Sequence, residues 1–185
     1  KIIREEISAT EDPLWKMSGA KSLPEYELWA KNMCGMACLK MILQHKCNRN
    51  IPIITLGREC MGFGGYIERG GTIDGLYYSA FVRFIDKEFS LKGKIVGHMS
   101  LGRIKREISQ GNYVIASVSH KIRNPESNSK IKGGHLILIL GYNLEKGIFV
   151  FHNPSGDTTE SQAYAEIPFP RFKEFFARRG IVIYK

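Results

Sequence analysis

An α+β fold is expected for this chain, with N-terminal helices packed on a C-terminal antiparallel sheet. Three observations predict it. Up to about residue 110 the apolar residues recur at helical spacing, and beyond Tyr113 they gather into short runs rich in Val, Ile and aromatics. Helices precede strands instead of alternating with them, which argues against a parallel sheet. At 185 residues and 43% hydrophobic content, the chain is long enough for one complete domain and short for two.

The first 24 residues are punctuated by Asp12-Pro13, Gly19 and Leu23-Pro24 and read as an irregular arm; a single domain is expected over 25–185. From Asn32 to Gln44, Met33, Ala37 and Met41 with Leu39, Ile42 and Leu43 fit a buried helix, and the Asn32 side chain is placed to cap it. A short helix is expected near Ile54–Cys60. The glycine-dense stretch 61–71 reads as loop and lacks the strand–loop–helix context of a phosphate cradle. A helix starting at Thr72 or Asp74 should run to Asp86 with Leu76, Ala80, Val82 and Phe84 inward, and Ser100 should cap a helix ending at Gly111. Strands follow at Tyr113–Val118, Leu136–Gly141 and Ile148–His152, the last two joined as a hairpin. An amphipathic helix over Pro168–Arg179 and a closing strand over Ile181–Tyr184 complete the chain.

A net charge of +9 favours anionic partners, and an acidic peptide substrate is one physical use for it. The basic residues follow no nucleic-acid motif, so no specific nucleic-acid partner is expected. No apolar run approaches the roughly 20 residues that a membrane-spanning helix needs. The first residues lack an apolar signal core, which points to the cytoplasm, although a removed signal would leave no trace. The four cysteines, at 34, 38, 47 and 60, include no Cys-x-x-Cys pair, so neither a metal nor any other cofactor is expected. Cys38 falls on the apolar helix side as a small core residue. A Cys47–Cys60 disulfide stays open. Nothing in the sequence sets the oligomeric state.

Chemistry concentrates in three places. Cys34 stands at the start of the first long helix, where unsatisfied N–H groups and the helix dipole favour the thiolate, and Gly35 beside it can lend an N–H to an oxyanion. His135 heads a strand after Gly133 and Gly134, whose missing side chains leave room beside the ring for a thiol and a substrate. Asn153 ends the following strand, level with His135 if the hairpin forms, and could hold the ring N–H. A thiol at a helix start, a histidine about a hundred residues on and then an amide is the chain order of a nucleophilic thiol site. Cys34 would attack, His135 would move the proton and Asn153 would orient the ring.

The segments Asn32-Met33-Cys34-Gly35-Met36-Ala37-Cys38, Gly133-Gly134-His135 with Gly141-Tyr142, and Asn153-Pro154 together resemble the bacteriocin-processing peptidases, cysteine peptidase family thirty-nine, and their stand-alone papain-like relatives. The resemblance covers roughly residues 28–184. It implies a papain-like fold and a thiol peptidase that cleaves after small residues, such as a double glycine closing a leader peptide. The family places a glutamine six residues before the nucleophile as an oxyanion donor. Here that slot is Leu28, which has no donor, and Asn32 or backbone N–H groups would have to serve. An acyltransferase or peptide cyclase on the same site is the first alternative, and an inactive peptide-binding module the second.

Overall fold

The computed structural model describes residues 9–124 and 126–185. The chain divides into two compact units, one ending at Phe89 and the other running from Ser90 to Lys185. The first eight residues of the expected arm lie outside the described residues.

The first unit is helical. Within 9–24 the chain makes 3₁₀ turns at Ala9–Glu11 and Trp15–Ser18, then enters α1 (Leu23–Ala30). The sequence reading missed α1, although its signal is present: Ser22 accepts from Glu25 N–H, Pro24 sits in the first turn, and Glu25 reaches back to Lys21 N–H at 2.5 Å. α2 (Cys34–Cys47) is the expected long helix, and Asn48, at φ 50°, ends it in the left-handed region. Its buried side is Met36, Cys38, Leu39, Ile42 and Leu43, whereas Ala37 and Met41, expected inward, are half-buried.

α3 (Ile53–Gly62) confirms the expected short helix. The glycine stretch is less irregular than expected, because Glu68–Arg69 (β1) and Thr72–Ile73 (β2) pair across Gly70-Gly71. Positive φ at both glycines closes this small hairpin. α4 begins later than expected, at Tyr78, and runs to Phe89 with Ala80, Phe81, Phe84 and Ile85 buried. The hairpin and the bond from Tyr77 N–H to Gly65 C=O hold residues 72–77 out of the helix, so Leu76 and Val82 are only half-buried.

The second unit is an antiparallel sheet in the order β3-β8-β4-β5-β6-β7. β4 (Tyr113–Ser119), β5 (Gly134–Asn143) and β6 (Ile148–His152) are the expected strands; β3 (Gly93–Val96) and β7 (Ala165–Pro168) are edge strands too short for periodicity to reveal. α5 (Leu101–Ser109) is capped by Ser100, which accepts from Arg103 N–H. The short α6 (Thr159–Gln162) follows β6.

The expected helix over 168–179 is cut short. α7 (Phe169–Phe175) gives way directly to β8 (Phe176–Ile183), which pairs with both β3 and β4. Pairing with β4 from Phe176, joined by β3 from Gly180, outweighs the helical spacing of the phenylalanines. One sheet face carries Val114, Ala116 and Val118 of β4, Ile137 and Ile139 of β5, and Phe149 and Phe151 of β6, in one core cluster with Ile104 of α5 and Phe172 and Phe175 of α7. Among the described residues no helix is long and apolar enough to cross a membrane.

Candidate active site

The thiol side is built entirely in the first unit. Cys34 is the first residue of α2 and half-buried, and no side chain caps this helix end. The Asn32 cap is therefore not made. Instead Asn32 N–H donates to Trp29 C=O, and Asn32 C=O accepts from the Tyr66 hydroxyl at 3.2 Å. Tyr66 and Trp29, both buried, meet edge to face with centroids 5.3 Å apart. A Cβ on Gly57 would come within 2.9 Å of Trp29, and one on Gly65 within 2.2 Å of the Cys60 sulfur. These close approaches fix the turn that delivers Cys34, while the Asn32 side-chain amide makes no internal hydrogen bond among the described residues. Gly35 is buried in the first turn of α2.

The four cysteines are thiols, so Cys47 and Cys60 are not bridged. Cys38, one turn beyond Cys34, is fully buried, and that burial, reinforced by Cys34, holds its thiol well above the ordinary range. Burial likewise pushes Cys60 up to about 12. Both are core thiols, inert at neutral pH.

The imidazole side is built entirely in the second unit. The β5–β6 register pairs Leu138 with His152. Carried one residue beyond the end of β6, it sets Asn153 level with Ile137, two residues from His135 on the same face. His135 and Asn153 are 4% and 1% exposed, the polar end of the rows that continue as Ile137–Ile139 and Phe151–Phe149. His135 Nε2 lies 2.8 Å from Asn153 Oδ1.

Proton accounting fixes the tautomer. The Ser155 backbone N–H, which can only donate, lies 3.2 Å from Asn153 Oδ1, so that amide atom is an acceptor and cannot be the nitrogen. Nε2 must then carry a hydrogen, so a neutral ring keeps its lone pair on Nδ1. Burial, opposed by the Asn153 bond and aided by the charges of Arg123 and His120, pushes His135 down to about 4. At pH 7 the ring is a neutral base.

Gly133 and Gly134 have φ of +95° and +87°, which side chains rarely tolerate. Their surroundings differ. A Cβ on Gly133 would lie 3.1 Å from the Arg179 guanidinium and 3.4 Å from Ala177, whereas one on Gly134 would meet nothing within 4 Å. The open space expected beside His135 therefore belongs to Gly134, and Gly133 is there for close packing on β8.

Two participants escaped the sequence reading. The Ser155 hydroxyl lies 3.0 Å from His135 Nε2 and 3.3 Å from Asn153 Oδ1, and Arg123 Nε donates to it at 3.0 Å. β4 runs straight into the 3₁₀ turn His120–Arg123, anchored by buried Ile122, and this turn carries Arg123 to Ser155. A serine two residues after an asparagine is a weak local signal, and nothing in the sequence links it to a basic residue 32 positions earlier. His152 uses its Nδ1 to accept from Tyr164 N–H and packs against the Tyr164 ring, apart from this network. His45, His98 and His120 are exposed. Among the described residues no group of three or more His, Cys, Asp or Glu side chains could hold a metal ion.

The structure thus brings His135 and Asn153 together within the second unit and sets Cys34, Asn32 and Gly35 along one turn of the first. The model of the Peptidase_C39 like family matches residues 20–182 of the chain. The crystal structure of a Bacillus anthracis protein assigned as a C39-like peptidase matches with a TM-score of 0.59 at 13% identity, covering 83% of this chain and 89% of that one. At that identity the likeness is one of fold. No curated protein matches the sequence.

Proposed function

The chain belongs to the C39-like peptidase family, and on that premise we propose that it is a thiol peptidase with Cys34 as nucleophile, His135 as base and Asn153 as the residue that orients the ring. The observation that carries this reading is the 2.8 Å bond between His135 Nε2 and Asn153 Oδ1, which leaves Nδ1 as the basic nitrogen of a buried, neutral imidazole.

In this mechanism the Cys34 proton passes to Nδ1 as the sulfur bonds to the substrate carbonyl carbon. The oxyanion lies against the Gly35 N–H and the uncommitted Asn32 amide, which take over from the donor that Leu28 lacks. The amine leaves with the proton from Nδ1, giving a thioester on Cys34. Water then attacks the thioester, its proton passing through Nδ1, and releases the carboxylate while Cys34 regains its thiol. Gly134 leaves the space beside the base open for substrate backbone. The family resemblance favours cleavage after small residues of a leader or precursor peptide, and the +9 charge favours an acidic one. Leucine at position 28 favours acyl transfer to an amine as the second reading, since removing one oxyanion donor costs about 10²–10³ in rate.

The test is to incubate the full chain with acidic peptides ending a leader in Gly-Gly and follow products and enzyme mass together. Cleavage with a transient acyl adduct on the Cys34 peptide, lost in Cys34→Ala and His135→Ala, is expected. Product mass separates water from amine as acceptor. Cleavage that survives Cys34→Ala would overturn the assignment.

A further inference from the structure

The Ser155 hydroxyl connects a permanent cation to the base. Two hydrogen bonds of 3.0 Å each separate Arg123 Nε from His135 Nε2, with Ser155 Oγ between them. Because the guanidinium always donates, one lone pair of Oγ is taken. The hydroxyl hydrogen is then directed to Asn153 Oδ1, 3.3 Å away, and the remaining lone pair faces Nε2–H. With the imidazole neutral, Nε2–H, the Ser155 hydroxyl and Asn153 Oδ1 are all paired, while Asn153 Nδ2 is buried without a partner. A second proton on the ring would place another positive charge two hydrogen bonds from Arg123, in a buried site.

We propose that Arg123, held in place by Ser155, is a positioning residue that restrains His135 in its neutral form, so that Cys34 rests as a thiol and is deprotonated only as it attacks. The proposal rests on the assignment of Cys34 and His135 above and adds a restraint that this assignment does not require. His120, on the same 3₁₀ turn as Arg123, is the other charge that acts on the ring in this direction, whereas Asn153 acts against it. Val118 of β4, directly opposite His135, is apolar and adds no charge. Arg123 and His120 are the charges that act on the ring, and of the two only Arg123 is joined to it through hydrogen bonds, by way of Ser155. A cation beside a general base lowers its resting basicity, and removing that cation should make both the base and its thiol more reactive.

The test is a titration of the His135 ring nitrogens by ¹⁵N NMR in the full chain, run for the parent protein and for Arg123→Gln, Arg123→Lys and Ser155→Ala. The parent should show the Nε2–H tautomer at pH 7 and protonate well below the ordinary value of about 6.5. Arg123→Gln should raise the midpoint by about one pH unit. Ser155→Ala, which releases the guanidinium, should move it the same way, and Arg123→Lys, which keeps the charge, should restore most of the parent behaviour. Alkylation of Cys34 by iodoacetamide at pH 7 should then be faster in Arg123→Gln than in the parent. A midpoint unchanged in both Arg123→Gln and Ser155→Ala, or a parent ring titrating at its ordinary value, overturns the proposal. The NMR arm needs no turnover, so a protein that cleaves nothing still decides the role of Arg123, while unresponsive alkylation with a shifted midpoint counts against the Cys34–His135 assignment instead.

Discussion

The first turn of α2 and the end of the β5–β6 pair solve the problem of placing a reactive group in opposite ways. Cys34 is presented by local structure: a turn pinned by the Trp29–Tyr66 contact feeds a helix whose first residue is the thiol. His135 is presented by long-range structure: strand register sets its neighbour, and a hydrogen-bonded cluster drawn from three chain segments fixes its proton. The helix end leaves its thiol half-buried, whereas the sheet end buries its imidazole almost completely. Each arrangement suits the role proposed for it. A nucleophile has to be reached, and a base has to keep one nitrogen bare and its tautomer fixed.

Two thiols one turn apart give the largest expected contrast. Cys34→Ala should lower peptide cleavage by on the order of 10⁴-fold or more while leaving the melting temperature nearly unchanged. Cys38→Ala should do the reverse, keeping turnover while costing about 1 kcal/mol of stability from its buried site. Peptide turnover and thermal melts on both variants check this. If the two changes behave alike, the distinction between a presented and a packed thiol fails.

Breaking the local support should cost most in stability. Trp29→Ala removes the ring against which Tyr66 and Gly57 pack and should destabilise the protein by about 3–5 kcal/mol in chemical denaturation. On the sheet side the corresponding lever is pH. His135 is pushed down to about 4 in the folded protein from an ordinary 6.5, so the unfolded chain binds the extra proton between those values. Stability is then fully present above about pH 6.5 and is lost as pH falls toward about 4, by up to about 3 kcal/mol. Replacing His135 with Gln should flatten this dependence in melts recorded across the range.

Smaller effects sharpen the comparison. Gly133→Ala and Gly134→Ala should each cost about 1–2 kcal/mol through their positive φ. Gly133→Ala should be the worse of the two in melting temperature, because its Cβ also crowds Arg179 and Ala177. Smallest is Tyr66→Phe, which leaves the ring in place and removes only the hydroxyl bond to Asn32 C=O. About 1 kcal/mol of stability should be lost, with turnover changed only modestly.

Much of this was legible in the chain, and the exceptions are instructive. Ser100 capped its helix because its target, Arg103 N–H, lies three residues away and belongs to the same element. Asn32 has equal intrinsic capacity to cap, but a partner 34 residues on, Tyr66, claims its carbonyl and Met33 takes the cap position. The helical spacing of Phe169, Phe172, Phe175 and Phe176 predicts a buried face, which forms, and one long helix, which stops at Phe175. β8 begins at Phe176 because Val118 of β4 pairs with it there, and β3 joins on the other edge from Gly180 onward. α1 was missed despite a complete local signal at Ser22-Leu23-Pro24-Glu25.

By itself the sequence determined the α+β order of elements, the helix that begins at Cys34, the glycine pair before His135, and the motif set that places the chain in its family. All of these rest on short-range spacing and on conformations that only certain residues adopt. The tertiary structure alone decided that Nε2 and not Nδ1 carries the His135 proton, that Ser155 and Arg123 join Asn153 around it, and that Gly134 opens space where Gly133 fills it. Those outcomes depend on which donors and surfaces meet across many residues of intervening chain, and local propensity does not encode that.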